Sequence, residues 1–156
     1  MSVFKDKPVM LKSFINGSIM TDLPNHLLEE IGKDTATLHN IKPPDFLREI
    51  MWCGIERFSE VEQYALNSSF DLWLKRTSIY INNHITSDLP KAFIHSDIFA
   101  SNIIVNDKKS KATIMDFEEA SYYYRLFDIA ILIISLCSRD ENIDFLRASL
   151  ILKGYN

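Results

Sequence analysis

The hydrophobic pattern of this 156-residue chain changes its period twice, which limits the folds that the chain can adopt. Apolar side chains recur at helical spacing over residues 24–39 and 59–87, and again over residues 126–152. Between these stretches lie three short apolar runs typical of strands, at residues 92–94, 103–105 and 112–115. Turn formers join the last two runs and predict a β-hairpin. The sequence therefore predicts an α+β fold that is mainly helical and contains one short β-hairpin.

Local signals predict where individual elements begin and end. Residues 8–15 alternate in polarity, which predicts a strand that ends at Asn16 and Gly17. The spacing of Ser59 and Glu62 is typical of a capping box at the start of a long helix. Further helical segments are expected at residues 46–55, 129–137 and 145–152, with Gly154 as a stop signal. Two apolar faces are expected to be buried, the first formed by Leu27, Leu28, Ile31, Thr35 and Leu38, and the second by Val61, Ala65, Leu72, Trp73 and Tyr80.

Composition and charge argue against several classes of protein. The net charge is −4 and the basic residues form no stripe, so we expect no nucleic-acid partner. The strongest apolar run, residues 129–137, is shorter than the about 20 residues that span a membrane. Residues 1–8 lack the apolar stretch of a signal peptide. Cys53 and Cys137 are isolated and are interpreted as core residues in a reducing compartment. These features predict a cytoplasmic protein without a membrane partner.

Two acids and one amide stand beside the predicted strands. Asp97 and Asn102 are five residues apart, and Asp116 follows the second strand of the hairpin. A hairpin brings these three positions to one end of the sheet. In phosphoryl transfer of the kinase type, one loop aspartate accepts the proton of the attacking hydroxyl, while an asparagine and a second aspartate hold magnesium. The residue types therefore predict a phosphoryl-transfer site.

The same segment resembles a known superfamily. His95-x-Asp97-x-x-x-x-Asn102, two apolar strands and then Asp116-Phe117 resemble the aminoglycoside phosphotransferases and choline kinases, which phosphorylate small-molecule hydroxyls with a protein-kinase-like fold. Bacterial type II homoserine kinases look closest. The resemblance implies an ATP-dependent kinase that uses Mg²⁺ and acts on a small hydroxylated substrate, with homoserine as the preferred candidate. It also implies that Asp97 is the catalytic base and that Asn102 and Asp116 bind the metal.

The resemblance assigns supporting roles as well. His95 and Asp128 would support the catalytic loop, and backbone around Ser13, Phe14 and Ile15 would meet adenine. Two residue pairs, Leu38-His39 and Gly154-Tyr155, also resemble pairs in the family. From the residues alone, His39 is a helix cap or packing residue.

Three charged residues near the Asp-Phe pair are substrate candidates. Glu118 and Glu119 have the charge to attract a substrate ammonium group, and Arg125 follows a run of three tyrosines. The alternative is that one glutamate pairs with Arg125 and the other is solvated. The tyrosines are also candidates for stacking on a substrate, although aromatic rings beside an apolar helix more often serve the core or an interface.

The resemblance covers a kinase large lobe. Residues 1–17 are expected to be the end of a small lobe and the lobe-connecting strand, and residues 18–156 the helical large lobe with the catalytic and metal loops. The strand lysine, helix glutamate and glycine-rich loop of a small lobe are not visible, so the small lobe is expected to be largely absent. An exposed lobe interface would then favour association of the chain. Ser96 and Glu118 stand where related kinases often carry glycine.

Other functions stay open on sequence grounds. The chain is compatible with a truncated, inactive kinase remnant that acts at most through binding. It is also compatible with a choline, ethanolamine or aminoglycoside type of kinase. A third reading, hydrolysis of a phosphate ester at a metal site without a nucleotide, lacks the histidine ligands or second acidic cluster expected for it.

Overall fold

The computed structural model describes residues 2–9, 12–86 and 88–156. The helices in these ranges are α1 (Asn25–His39), α2 (Glu62–Ala65), α3 (Ser69–His84), α4 (Arg125–Cys137) and α5 (Phe145–Tyr155). The strands are β1 (Ser2–Phe4), β2 (Lys7–Val9), β3 (Ser18–Ile19), β4 (Lys91–Ile94), β5 (Ile103–Val105), β6 (Ala112–Ile114), β7 (Ser121–Tyr124), β8 (Ser138–Arg139) and β9 (Asn142–Ile143). The predicted α+β fold with predominant helix is confirmed.

Short antiparallel sheets carry the loops of the predicted site. Strands β3, β5 and β6 form one sheet in that order, and β4 pairs with β7 in another. The predicted β5–β6 hairpin is therefore confirmed. Its turn is held by the Asn106 side-chain oxygen, which accepts hydrogen bonds from the backbone amides of Ser110 and Lys111. Strands β1 and β2, and likewise β8 and β9, form separate hairpins.

The main core joins α1, α4 and α5 to the β5–β6 hairpin. All five residues expected on the inner face of α1 are buried, so this prediction is confirmed. Burial of such side chains stabilises the fold by about 1.5–3 kcal/mol each. The buried apolar residues of this cluster are Leu23, Leu27, Leu28, Ile31, Ile98, Ile103, Val105, Ala112, Leu132, Leu136, Cys137, Ala148 and Ile151.

Two glycines allow α1 and α5 to touch through their backbones. A Cβ atom on Gly32 would overlap the carbonyl oxygen of Ile151, and one on Gly154 would overlap that of Glu29. The expectation that Gly154 stops the last helix is wrong, because α5 continues through it to Tyr155. Gly154 serves close helix packing instead.

We expect Gly154→Ala to destabilise the protein by about 1–3 kcal/mol, as overpacking of a dense interior typically does. Alanine favours helix by about 1 kcal/mol over glycine, but the obstructing atom is backbone and cannot move aside cheaply. The free energy of unfolding in urea measures the effect. Ser149→Ala on the exposed side of α5 is the control, and equal stability of the two variants would contradict the packing argument.

The amino-terminal strand is shorter than predicted. Strand β2 ends at Val9, and residues 12–16 form no strand; Met10 and Leu11 lie outside the described residues. Lys5 and Asp6 both have positive φ, at 50° and 59°, which is the geometry of a tight hairpin turn. That turn pairs β2 with β1, and the chain bends again at Gly17 before β3.

The central region differs most from expectation. The helix predicted over residues 46–55 is absent from this described segment, where the backbone amide of Tyr122 donates to the Arg48 carbonyl over 2.7 Å. A 3₁₀ helix, Ile55–Val61, follows, and α2 ends before α3 begins. The cap of α3 is Ser68, whose hydroxyl accepts from the Asp71 amide, so the capping box at Ser59 is wrong. Both serines have an acid three residues later, and only the tertiary contacts distinguish them.

The face predicted for the long helix is also wrong. In α3 the buried residues are Asp71 and Leu74, while Leu72, Trp73 and Tyr80 are exposed. The interruption before Ser68 shifts the helical phase, so a periodicity read across residues 61–80 mixes two separate helices.

Candidate active site

The structure joins Asp97 and Asn102 directly. Asp97 lies in the loop after β4, and Asn102 ends a 3₁₀ turn, Ala100–Asn102, at the start of β5. The Asn102 side-chain nitrogen donates to the Asp97 backbone carbonyl over 2.8 Å and to its carboxylate oxygen Oδ2 over 2.7 Å. These bonds fix the Asp97 carboxylate, while the amide oxygen of Asn102 is the atom suited to a hard cation.

Met115, directly before Asp116, joins the Asp116 loop to the same place. The Met115 amide donates to the Asn102 carbonyl over 2.9 Å, and the Met115 carbonyl lies 2.9 Å from His95 Nε2. Asp116 itself is exposed and has a left-handed backbone with φ of 68°. Aspartate tolerates this conformation better than most residues, and such strain is concentrated at functional sites. The backbone thus brings the Asp116 loop beside the Asp97 loop.

His95 is buried and its side chain bridges the Asp97 and Asp116 loops. Its Nδ1 accepts a hydrogen bond from the Asp97 amide over 3.2 Å, so Nε2 carries the proton that binds the Met115 carbonyl. The ring of Phe117 packs on the imidazole with centroids 4.5 Å apart. Both nitrogens are engaged with backbone, which suits a structural role rather than proton transfer.

Asp128 anchors the backbone that leads into the Asp97 loop. Its side chain, on the first turn of α4, is fully buried and accepts from the backbone amides of His95 and Ser96, over 2.8 and 2.9 Å. It also binds His39 Nε2 at 3.1 Å. This arrangement satisfies a buried carboxylate with three donors and fixes the backbone immediately before Asp97.

Ser96 has a backbone conformation that glycine adopts more readily than serine. Ser96 has a φ of 72°, in the left-handed region that glycine adopts without cost. Its hydroxyl lies 2.8 Å from that of Ser121 in the buried interior. Strand β7, which the sequence did not reveal, supplies this partner.

The substrate candidates separate in the structure. Glu118 is exposed and Glu119 is half-buried, whereas Arg125 donates to the His39 carbonyl over 3.1 Å. The suggested pairing of a glutamate with Arg125 does not occur among the described contacts. Arg48 takes that place: it donates to the Glu118 carbonyl and forms an ion pair with Glu119 Oε2 at 3.5 Å. Arg48 was not identified as a candidate from the sequence because this residue was placed in a helix predicted over residues 46–55.

Glu119 presents an acceptor that its surroundings leave available. Its Oε2 atom is buried, and no hydrogen bond to it occurs within the described ranges, because 3.5 Å to Arg48 exceeds an ordinary hydrogen-bond length. Buried acceptors normally find a donor. A neighbouring cavity of about 460 Å³ is lined by Arg48, Phe93, Phe117 and Glu118, among others.

The predicted adenine-binding segment lies on the surface. Ser13 and Phe14 are exposed, with 87% of Phe14 accessible, and Ile15 is half-buried. The segment leads into β3, which pairs with β5 directly after Asn102. Among the described hydrogen bonds none connects residues 13–15 to the site, so their role stays a prediction.

An apolar cavity of about 370 Å³ adjoins β7 and the start of α4. Cys53 in its wall is half-buried; burial first, and then the charge of Asp97, raise the pKa of its thiol. Burial also raises the pKa of Tyr123 to about 12, with Glu56 adding to the effect. Cys137 is buried in the core as expected, whereas Cys53 is only half-buried, beside the smaller cluster of Met51, Ile94 and Tyr123.

Both side chains proposed for the candidate cation site, Asn102 and Asp116, would bind a cation through oxygen. Within residues 2–9, 12–86 and 88–156, no three His, Cys, Asp or Glu side chains are grouped to hold a metal ion. The donor set of Asn102 and Asp116 supplies carboxylate and amide oxygens, which suit Mg²⁺ or Ca²⁺ when phosphate oxygens and water complete the shell.

The described helices include none with the length and apolar character needed to cross a bilayer.

Comparison with known proteins identifies the class. An amicoumacin kinase structure in complex with AMP-PNP, Ca²⁺ and Ami superposes with a TM-score of 0.65 at 18% identity, covering 92% of this chain and 46% of that one. The fold is therefore kinase-like. The chain belongs to the phosphotransferase enzyme family, which matches residues 3–154. The resemblance inferred from the Asp97–Asp116 segment is confirmed.

Two relatives illustrate the range of the family. A homoserine kinase of Rhizobium meliloti (strain 1021) is 25% identical over 96% of this chain and 48% of its own length. A probable ethanolamine kinase of Arabidopsis thaliana is 26% identical over 77% of this chain and 36% of its own length. The chain thus spans about half, or less, of the length of the relatives it matches.

Proposed function

We propose that the protein transfers the γ-phosphoryl group of ATP to the hydroxyl of a small metabolite. The contact between Asn102 and the Asp97 carboxylate, beside the Asp116 loop, carries this proposal. Asp97 is the proposed base, and Asn102 and Asp116 are the proposed metal ligands. Mg²⁺, when bound, would neutralise charge on the phosphates.

The proton and the bonds can be followed through the step. The acceptor oxygen bonds to the γ-phosphorus as the bond to the β-phosphate oxygen breaks, and ADP leaves. The proton of the acceptor hydroxyl passes to the Asp97 carboxylate. Asn102 holds Oδ2 of that carboxylate, which leaves Oδ1 as the oxygen for the proton. His95 and Asp128 keep the loop in place through backbone bonds.

We also propose that the protein binds the nucleotide at the segment before β3. The neighbour solved with AMP-PNP and Ca²⁺ supports use of a nucleotide and a divalent cation. We assign adenine contact to backbone of Ser13, Phe14 and Ile15, residues 1–17 to the lobe connection, and residues 18–156 to the large lobe. The pairing of β3 with β5 supports this assignment because it connects the segment to the strand that follows Asn102.

L-Homoserine is the proposed acceptor. The matched homoserine kinase supports it, and so does the opposite charge of Arg48 and Glu119 at one place. Homoserine carries both a carboxylate and an ammonium group, so it complements both side chains. Ethanolamine has the ammonium group but no carboxylate, so it complements Glu119 but offers no anionic partner to Arg48.

Phosphate transfer from ATP tests the function. The assay compares L-homoserine, ethanolamine, choline and kanamycin as acceptors, each with Mg²⁺ and with EDTA. It uses the 156-residue chain and, separately, a chain extended by whatever residues the flanking reading frame encodes. We expect Mg²⁺-dependent transfer to homoserine. Nucleotide binding without transfer to any alcohol would instead favour a binding-only protein, and phosphate release from simple esters without ATP would favour a hydrolase.

We expect Arg48→Gln to raise the KM for homoserine about tenfold or more, because a hydrogen bond to a charged group contributes about 1.5–3 kcal/mol. Turnover of ethanolamine, if detectable, should change little. Steady-state kinetics with both acceptors measure this difference. Arg57→Gln is the matched control, since Arg57 forms an exposed pair with Glu60. An equal loss for both acceptors would rule out carboxylate recognition by Arg48.

A further inference from the structure

A chain of side-chain hydrogen bonds leads from the catalytic loop to the end of α5. Asp128, which accepts from the amides of His95 and Ser96, also binds Nε2 of His39 at 3.1 Å. The other ring nitrogen of His39, Nδ1, lies 2.7 Å from the hydroxyl of Tyr155. The side chains of Asp128 and His39 are both fully buried. This series of hydrogen bonds therefore includes a contact between residues that are 116 positions apart in sequence.

The packing of α1 against α5 makes this connection possible. His39 is the last residue of α1 and Tyr155 the last of α5. Gly154, directly before Tyr155, lets the two helix backbones touch, which brings the phenol to the imidazole. Arg125 donates to the His39 carbonyl over 3.1 Å and so holds the end of α1. His39 is thus fixed through its backbone as well as its ring.

The protons along the chain can all point toward Asp128. Burial raises the pKa of the Tyr155 phenol, and the charge of Arg125 only partly offsets this, so the phenol keeps its proton. The phenol can then donate to Nδ1 of a neutral imidazole, whose Nε2 proton binds the Asp128 carboxylate. Such outer partners commonly fix the orientation of a carboxylate that itself holds a functional group.

We propose that His39 is a positioning residue for the catalytic loop, and that Tyr155 fixes the His39 ring so that Asp128 holds the amides of His95 and Ser96. His39 does not touch the reacting atoms. The proposal replaces the reading of His39 as a simple cap, because its ring contacts a carboxylate and a phenol rather than only its own helix end. Its kinetic consequence rests on the proposed phosphotransferase function, whereas its structural consequence does not.

Amide hydrogen exchange followed by NMR tests the structural consequence without any assay of activity. We expect His39→Leu to speed exchange at the His95 and Ser96 amides about tenfold or more relative to the amides of Ile31 and Leu132, which report global opening. His39→Gln should recover part of the protection, because its amide can donate to Asp128. Tyr155→Phe should give a smaller increase. His84→Leu and Tyr64→Phe are exposed controls.

Kinetics test the second consequence. We expect His39→Leu to lower kcat about 10- to 100-fold with little change in the KM for ATP, and Tyr155→Phe to add nothing in the double variant, because both act through one chain. Faster exchange at His95 and Ser96 in His39→Leu, combined with no phosphate transfer by the wild-type protein, would support the positioning role and reject the proposed function. Unchanged exchange at His95 and Ser96 in His39→Leu, or a uniform rise at all amides, would overturn the positioning role.

Discussion

Asp97→Asn is expected to lower kcat for phosphate transfer by about 100- to 10,000-fold, the range that a positioned general base contributes. An amide cannot accept the proton of the acceptor hydroxyl. Its oxygen can still accept from the Asn102 side chain, and the loop backbone keeps its bonds to His95 and Asn102. We therefore expect a loss of catalysis with little loss of folding.

Single-turnover transfer from ATP, together with urea unfolding, separates these two effects. Asp107→Asn is the matched control, because Asp107 lies exposed in the turn of the β5–β6 hairpin. That variant should retain wild-type kcat. If Asp97→Asn kept more than about a third of the wild-type rate while binding ATP normally, Asp97 could not be the base, since even the weakest expected effect is about 100-fold.

Asp128→Ala is expected to destabilise the protein by about 3–5 kcal/mol, as removal of one partner from a buried charged contact typically does. The change leaves the amides of His95 and Ser96, and Nε2 of His39, without their common acceptor in a buried place. Each unsatisfied donor is costly there because no water replaces the lost oxygen. This expectation depends only on the structure and not on the proposed function.

Urea unfolding monitored by circular dichroism measures the loss. Asp128→Asn should fall between wild type and Asp128→Ala, because it retains one acceptor oxygen but not the charge. Asp45→Ala is the control for an exposed aspartate and should stay within about 0.5 kcal/mol of wild type. A stability of Asp128→Ala within about 1 kcal/mol of wild type would show that the loop does not depend on this carboxylate.

Some of the fold and site could be predicted from the sequence because the signals involved are local. The buried face of α1 follows from helical spacing, and the β5–β6 hairpin from two apolar runs around a polar turn. The contact of Asp97 with Asn102 spans only five residues. A loop of that length leaves few ways to arrange an acid and an amide beside a strand.

Other features could not be predicted because their partners are distant in the chain. Arg48 contacts the Glu118 carbonyl across 70 residues, and that pairing replaces the helix expected around it. Strand β7 forms against β4, although residues 121–124 continue directly into α4. Local propensity carries no information about these partners, and packing overrides it.

The sequence by itself determined the family of this protein and the residues of its proposed chemistry, since these reside in one short ordered motif from His95 to Glu118. Only the tertiary structure decided how that motif is held. The Asp128, His39 and Tyr155 contacts join three helices, and the close approach of α1 and α5 at Gly154 exists only once both helices have packed. Contacts between distant segments form when burial of the shared core offsets the loss of chain entropy, and no single segment encodes that balance.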